Sequence, residues 1–150
     1  MTEVLFYHLQ GQTLDRVLPT LLEKSLERGW RIVVQAASDE RVDALDAHLW
    51  TYRDDGFLPH GTYRESEAAA QPVLITTHGH NPNQADVRFL VDGAPLPDDA
   101  ATYRRIVLVF DGGDEEAVAQ ARERWSEAKQ AGFAVTYWQP DDQGRWQRKA

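Results

Sequence analysis

Two short runs of strand-forming residues, Val4 to Leu9 and Arg31 to Ala37, flank a segment whose apolar residues recur every three or four positions. This change of period constrains the fold more than any other feature. A strand that leads through an amphipathic helix into a second strand implies two parallel strands of one sheet joined by a right-handed crossover. The helical positions are Leu14, Val17, Leu18, Leu21, Leu22 and Leu26, with Thr13 as cap candidate and Gly29 as the stop. Pro19 interrupts the pattern. A proline lacks the donor that a helix interior needs, so the segment is predicted either to kink at Pro19 or to become helical only from about Leu18.

The same grammar continues. Ser38 stands as cap to a second helix carrying Val42, Leu45 and Leu49 on one face, and Asp114 to Gln130 reads as a long helix ended by Gly132. Pro72 to Thr77, Val87 to Val91, Ile106 to Phe110 and Phe133 to Trp138 read as strands, and Glu65 to Ala70 as an exposed loop or short helix. Strands alternating with helices predict an α/β fold, a three-layer sandwich around a mostly parallel sheet. At 150 residues the chain fits one domain. Its expected extent is 1–139, followed by a polar tail over 140–150 with a basic end (Arg145, Arg148, Lys149) and candidate packing anchors in Trp138 and Trp146.

Several chemistries find no support in the residues. The chain has no cysteine, which removes disulfides, thiolate catalysis and cysteine-based metal sites. The first strand-to-helix turn reads HLQGQTLD and contains neither G-x-G-x-x-G nor a P-loop. Gly112-Gly113 stands in the right context for a phosphate loop, but two adjacent glycines also make an ordinary tight turn. His78, His80 and Asp86 could ligate a metal, although histidines at i and i+2 diverge on a strand, and a solvated loop serves equally. The acidic groups at Asp98-Asp99, Asp111, Asp114 to Glu116 and Asp141-Asp142 read as turns and helix starts. A net charge of −8 disfavours a broad grip on a phosphate backbone. No apolar run approaches bilayer length and the amino terminus lacks a signal-peptide pattern, which predicts a cytoplasmic protein with no membrane contact.

One segment carries more. Leu45-Asp-Ala-His-Leu-Trp50, followed by Phe57-Leu-Pro59-His60-Gly61, resembles the L-D-x-x-L-W and F-x-P-H motif of the DNA polymerase III chi family. Asn81-Pro-Asn83 and Arg122-Glu-Arg-Trp125 leading to Ala131-Gly132-Phe133 match further patches of that family in the same order. The resemblance implies a Rossmann-like fold with no nucleotide-binding loop, no cofactor and no intrinsic activity. It implies an adaptor that pairs with the psi subunit, and so with the clamp loader. The adaptor also holds the acidic, phenylalanine-terminated tail of single-stranded DNA-binding protein, reaching DNA only through that partner.

Such a tail needs a guanidinium for its carboxylate and an apolar slot for its ring. Arg122, Trp125 and Lys129, at i, i+3 and i+7, can share one helix face. Trp50 and Phe57, edged by Pro59 and His60, are expected to form the slot. Val118 and Ser126 stand where related proteins carry lysines, implying a less basic pocket. Trp125 with Val118, Ala121 and Ala128, and Trp50 with Leu45 and Leu49, also read as ordinary core at helical spacing. Two other functions share the fold: a nucleotide- or metal-dependent small enzyme, and direct binding of single-stranded nucleic acid through exposed tryptophans and the basic tail. The acidic total weighs against the second.

Overall fold

The computed structural model describes residues 2–53 and 58–150. Its strands are β1 (Glu3–Leu9), β2 (Ile32–Gln35), β3 (Gly61–Thr62), β4 (Val73–Thr76), β5 (Val87–Leu90), β6 (Arg105–Asp111), β7 (Ala134–Pro140) and β8 (Trp146–Arg148), and its helices α1 (Leu14–Glu27), α2 (Asp39–Thr51) and α3 (Glu115–Gln130). Among the described residues the strands form one eight-stranded sheet, in the order β3-β4-β2-β5-β6-β1-β7-β8. All neighbours are parallel except β7 and β8.

Alternation along the strands divides the core in two. Leu5, Ile32, Val34, Ile75, Phe89 and Val107 face α1 and α2, whose Leu18, Leu22, Val42, Leu45 and Leu49 cover them. Val4, Phe6, Val33, Leu74, Ile106 and Leu108 face the other way, under Ala121 and Ala128 of α3 and under Ala94, Ala100 and Tyr103 of connecting segments. The crossover from β1 to β2 runs towards β3, and that from β6 to β7 runs towards β8. Right-handed crossovers in opposite directions place their helices on opposite faces, which gives the three layers.

The helix starts follow their caps. Thr13, Ser38 and Asp114 side chains accept from Arg16, Arg41, and Glu116 and Ala117 amides respectively. Pro19 does not delay α1, because the Thr13 cap and the buried Leu18, Leu21 and Leu22 hold the helix from Leu14. The Asp15 carbonyl that Pro19 leaves without its helical donor lies 2.6 Å from His48 Nε2 of α2. The segment read as a tail also departs from expectation. Asp141 Oδ1 accepts from the amides of Gln143 and Arg145 at 2.9 and 2.8 Å, closing a turn that returns the chain as β8. Trp146 then stacks on Tyr7, with centroids 4.6 Å apart.

Candidate functional site

The outer edge of α3 and the β7–β8 edge of the sheet enclose a groove of ≈ 360 Å³ lined by Phe6, His8, Phe110, Val118, Arg122, Trp125 and Tyr137, with Ala150 at its end. Small residues at Ala121 and Ala128 bring α3 close to the sheet, and Trp125 between them leans edge-on against Phe6 at 5.3 Å. Trp125 is therefore half-buried, anchored in the core and lining the groove as well. Lys129 Nζ lies 5.3 Å from the centre of the Trp125 ring. Arg122 is exposed at the groove mouth, and neither Arg122 nor Lys129 forms an ion pair among the described residues.

Tyr137 forms the opposite wall, edge-on to Trp125. Its hydroxyl bonds to His8 Nδ1 and accepts from Gln139 Nε2 at 3.0 Å. Burial holds His8 below its ordinary pKa against the opposing pull of Asp111, which favours the neutral ring that can accept at Nδ1. The groove therefore offers an apolar aromatic floor, one guanidinium and one ammonium.

Trp50, Pro59 and His60 lie elsewhere. Trp50 is 54% exposed, the one exposed large hydrophobic side chain among the described residues. Its ring contacts His60 at 4.5 Å between centroids. The buried His60 is pinned by the carbonyls of Leu58 (Nδ1, 2.6 Å) and Asp46 (Nε2, 3.1 Å), with the Asp46 carboxylate also 3.1 Å away. Burial raises the pKa of Asp46, and His60 opposes that rise. Phe57 falls outside the described residues.

This patch and the α3 groove do not meet. The α2 helix packs on β3 and β4 from the α1 face, whereas α3 packs on β6, β7 and β1 from the other. At about 4.8 Å per strand, β4 and β6 are roughly 14 Å apart, with the sheet between the two side-chain layers. The single slot expected from the sequence is thus two separate patches: Arg122, Trp125 and Lys129 on one, Trp50, Pro59 and His60 on the other.

The residues that suggested an enzyme are engaged otherwise. The Gly113 amide donates to Asp111 Oδ1 at 2.8 Å and the Gly112 amide to Leu9 O at 2.9 Å, so neither is open to a phosphate. A side chain at Gly112 would run into the His8 ring, which accounts for that glycine. Asp86 accepts from the Arg31 amide and pairs with Arg104, and no group of three or more metal-ligating side chains occurs among the described residues.

The family model for the DNA polymerase III chi subunit, HolC, matches residues 1–136. The chain belongs to the DNA polymerase III chi subunit family. A probable DNA polymerase III subunit chi from Rickettsia prowazekii (strain Madrid E) is 26% identical over 121 residues, covering 74% of this chain and 71% of the relative. Membership of the chi family makes the protein an accessory subunit in DNA replication. Among its described residues no helix is long and apolar enough to cross a membrane. Val118 supplies the groove with an apolar wall. His8, Phe110 and Tyr137 line the same groove and were missed from sequence. The alternation of Val135 and Tyr137 against Thr136 and Trp138 was the available signal, but only the strand order shows which set meets α3.

Proposed function

We propose that this chi-family subunit tethers the replicase to single-stranded DNA-binding protein by holding its acidic, aromatic-ended C-terminal tail in the α3 groove. The observation that carries this reading is the exposed Arg122 beside the aromatic slot of Phe6, Phe110, Trp125 and Tyr137. The guanidinium takes the terminal carboxylate through charge-assisted hydrogen bonds, the slot takes the ring, and Lys129 meets a preceding acidic residue. The Trp50 patch, on the other face, then serves the psi subunit and through it the clamp loader, so that both partners are held at once. An exposed indole on a rigid base is what a protein partner buries as an anchor.

The test is fluorescence anisotropy with a labelled acidic peptide ending in phenylalanine, beside the same peptide lacking that residue. The full peptide should bind and the shortened one should not. Arg122→Ala should weaken binding by roughly 10- to 100-fold, the loss of hydrogen bonds to a charged group at about 1.5–3 kcal/mol. Equal binding of both peptides, or an unchanged Arg122→Ala, would refute the assignment.

A further inference from the structure

The match to the chi family ends at residue 136, so most of β7 and all of β8 lie beyond it. Yet this hairpin builds one wall of the groove. Beyond Arg148 the Lys149 and Ala150 amides both donate to Tyr137 O, at 2.7 and 3.4 Å, a bulge that sets both residues opposite Tyr137, and Ala150 lines the groove beside Arg122 and Trp125.

Strand alternation sorts the basic residues here. Trp146 stacks on Tyr7 and packs with the core on the α1 face, so Arg148, two residues on and opposite Trp138, shares that face. Gln147, opposite Gln139, and Lys149, beside Tyr137, belong to the α3 face. Arg145 is held in the turn by Asp141, 3.5 Å away. Of the three basic residues near the end of the chain, Lys149 alone stands on the α3 face, paired with Tyr137 and next to the groove-lining Ala150. Arg122 in the lining, Lys129 over the Trp125 ring and Lys149 on the strand side gather three cations on this face of a chain whose net charge is −8.

We infer that the β7–β8 hairpin is part of the peptide site and that Lys149 meets the acidic residues preceding the terminal aromatic of the bound tail. This rests on the tail-binding reading above. Val118 makes the helix side of the groove apolar beside Arg122, and Lys149 supplies a cation from its sheet side. A peptide lying along the groove passes between positive charges on both walls.

The experiment compares Lys149→Glu, Lys24→Glu and Arg122→Ala, each checked by circular dichroism and melting, against the acidic peptide and a control. The control keeps its terminal phenylalanine but carries Asn and Gln in place of Asp and Glu. Lys149→Glu should weaken the acidic peptide roughly tenfold, flatten its salt dependence, and leave the control peptide within about twofold of the unaltered protein. Lys24→Glu, which makes the same charge change on α1 across the sheet, should change neither. Arg122→Ala should lose both. If Lys149→Glu binds the acidic peptide normally while Arg122→Ala fails, the hairpin inference is overturned and the tail reading stands. Equal losses in the two Glu variants overturn it too, since net charge alone would then explain them. If the unaltered protein ignores both peptides, both readings fall.

Discussion

Pro19 withdraws one donor from α1, and His48 on the neighbouring helix returns one to the Asp15 carbonyl. His48→Ala should therefore cost about 1 kcal/mol in denaturant unfolding, the usual net worth of a hydrogen bond. The cost should shrink in a Pro19→Ala background, where residue 19 regains its own N–H, so a double-mutant cycle checks the pairing. Arg88 is a larger case. It is fully buried and forms no ion pair among the described residues, and its five N–H groups go to Gln35 Oε1, Tyr103 Oη and the carbonyls of His78 and His80. It fastens the loop after β4 onto the sheet. Arg88→Met strands several buried acceptors at about 1–3 kcal/mol each, so a loss of roughly 3 kcal/mol or more is expected. Arg88→Lys should recover little of it, since one ammonium cannot span the fork. At His8 the lowered pKa sets a pH dependence: the unfolded chain takes the proton first, so stability is complete above 6.5 and declines as pH falls through the lowered folded value. Protonation also turns Nδ1 from acceptor to donor, facing the Gln139 amide. Melting temperature should drop between pH 7 and 5, and drop less in His8→Gln.

At the scale of elements, the helix ends were legible because capping is local. Asp114 illustrates it: its carboxylate takes two first-turn amides, and Asp114→Ala should destabilise the protein by about 1 kcal/mol in thermal or denaturant unfolding. The carboxylate run at Asp114 to Glu116 is accounted for by that cap and by the helix dipole. The strand at Trp146–Arg148 was not legible, since three residues with one apolar side chain carry no period. Its signature lay in the turn before it, where Asp141 and the positive-φ Gly144 close the hairpin. The face of α3 was legible too, because Arg122, Trp125 and Lys129 share a side of any helix. That Trp50 stands apart from the α3 groove was not, because the side of the sheet a helix takes depends on strand order, and strand order is set by contacts far apart in sequence.

For the whole molecule, strand order decides what the protein can join. Crossovers that run in opposite directions put α2 and α3 on opposite faces, and each carries one aromatic patch: an exposed indole over His60 on the first, a cation-rimmed groove on the second. A subunit built this way can hold two partners without either displacing the other, provided each patch acts alone. Patches on opposite faces of the sheet, with no shared contacts among the described residues, should respond additively to mutation. The most direct test measures Trp50→Ala and Arg122→Ala side by side for binding of the acidic phenylalanine-ended peptide and of the psi subunit. Arg122→Ala should lose the peptide and keep psi, and Trp50→Ala should lose psi and keep the peptide. If Trp50→Ala weakens the peptide as strongly as Arg122→Ala does, the two patches act as one site and the two-sided adaptor is contradicted.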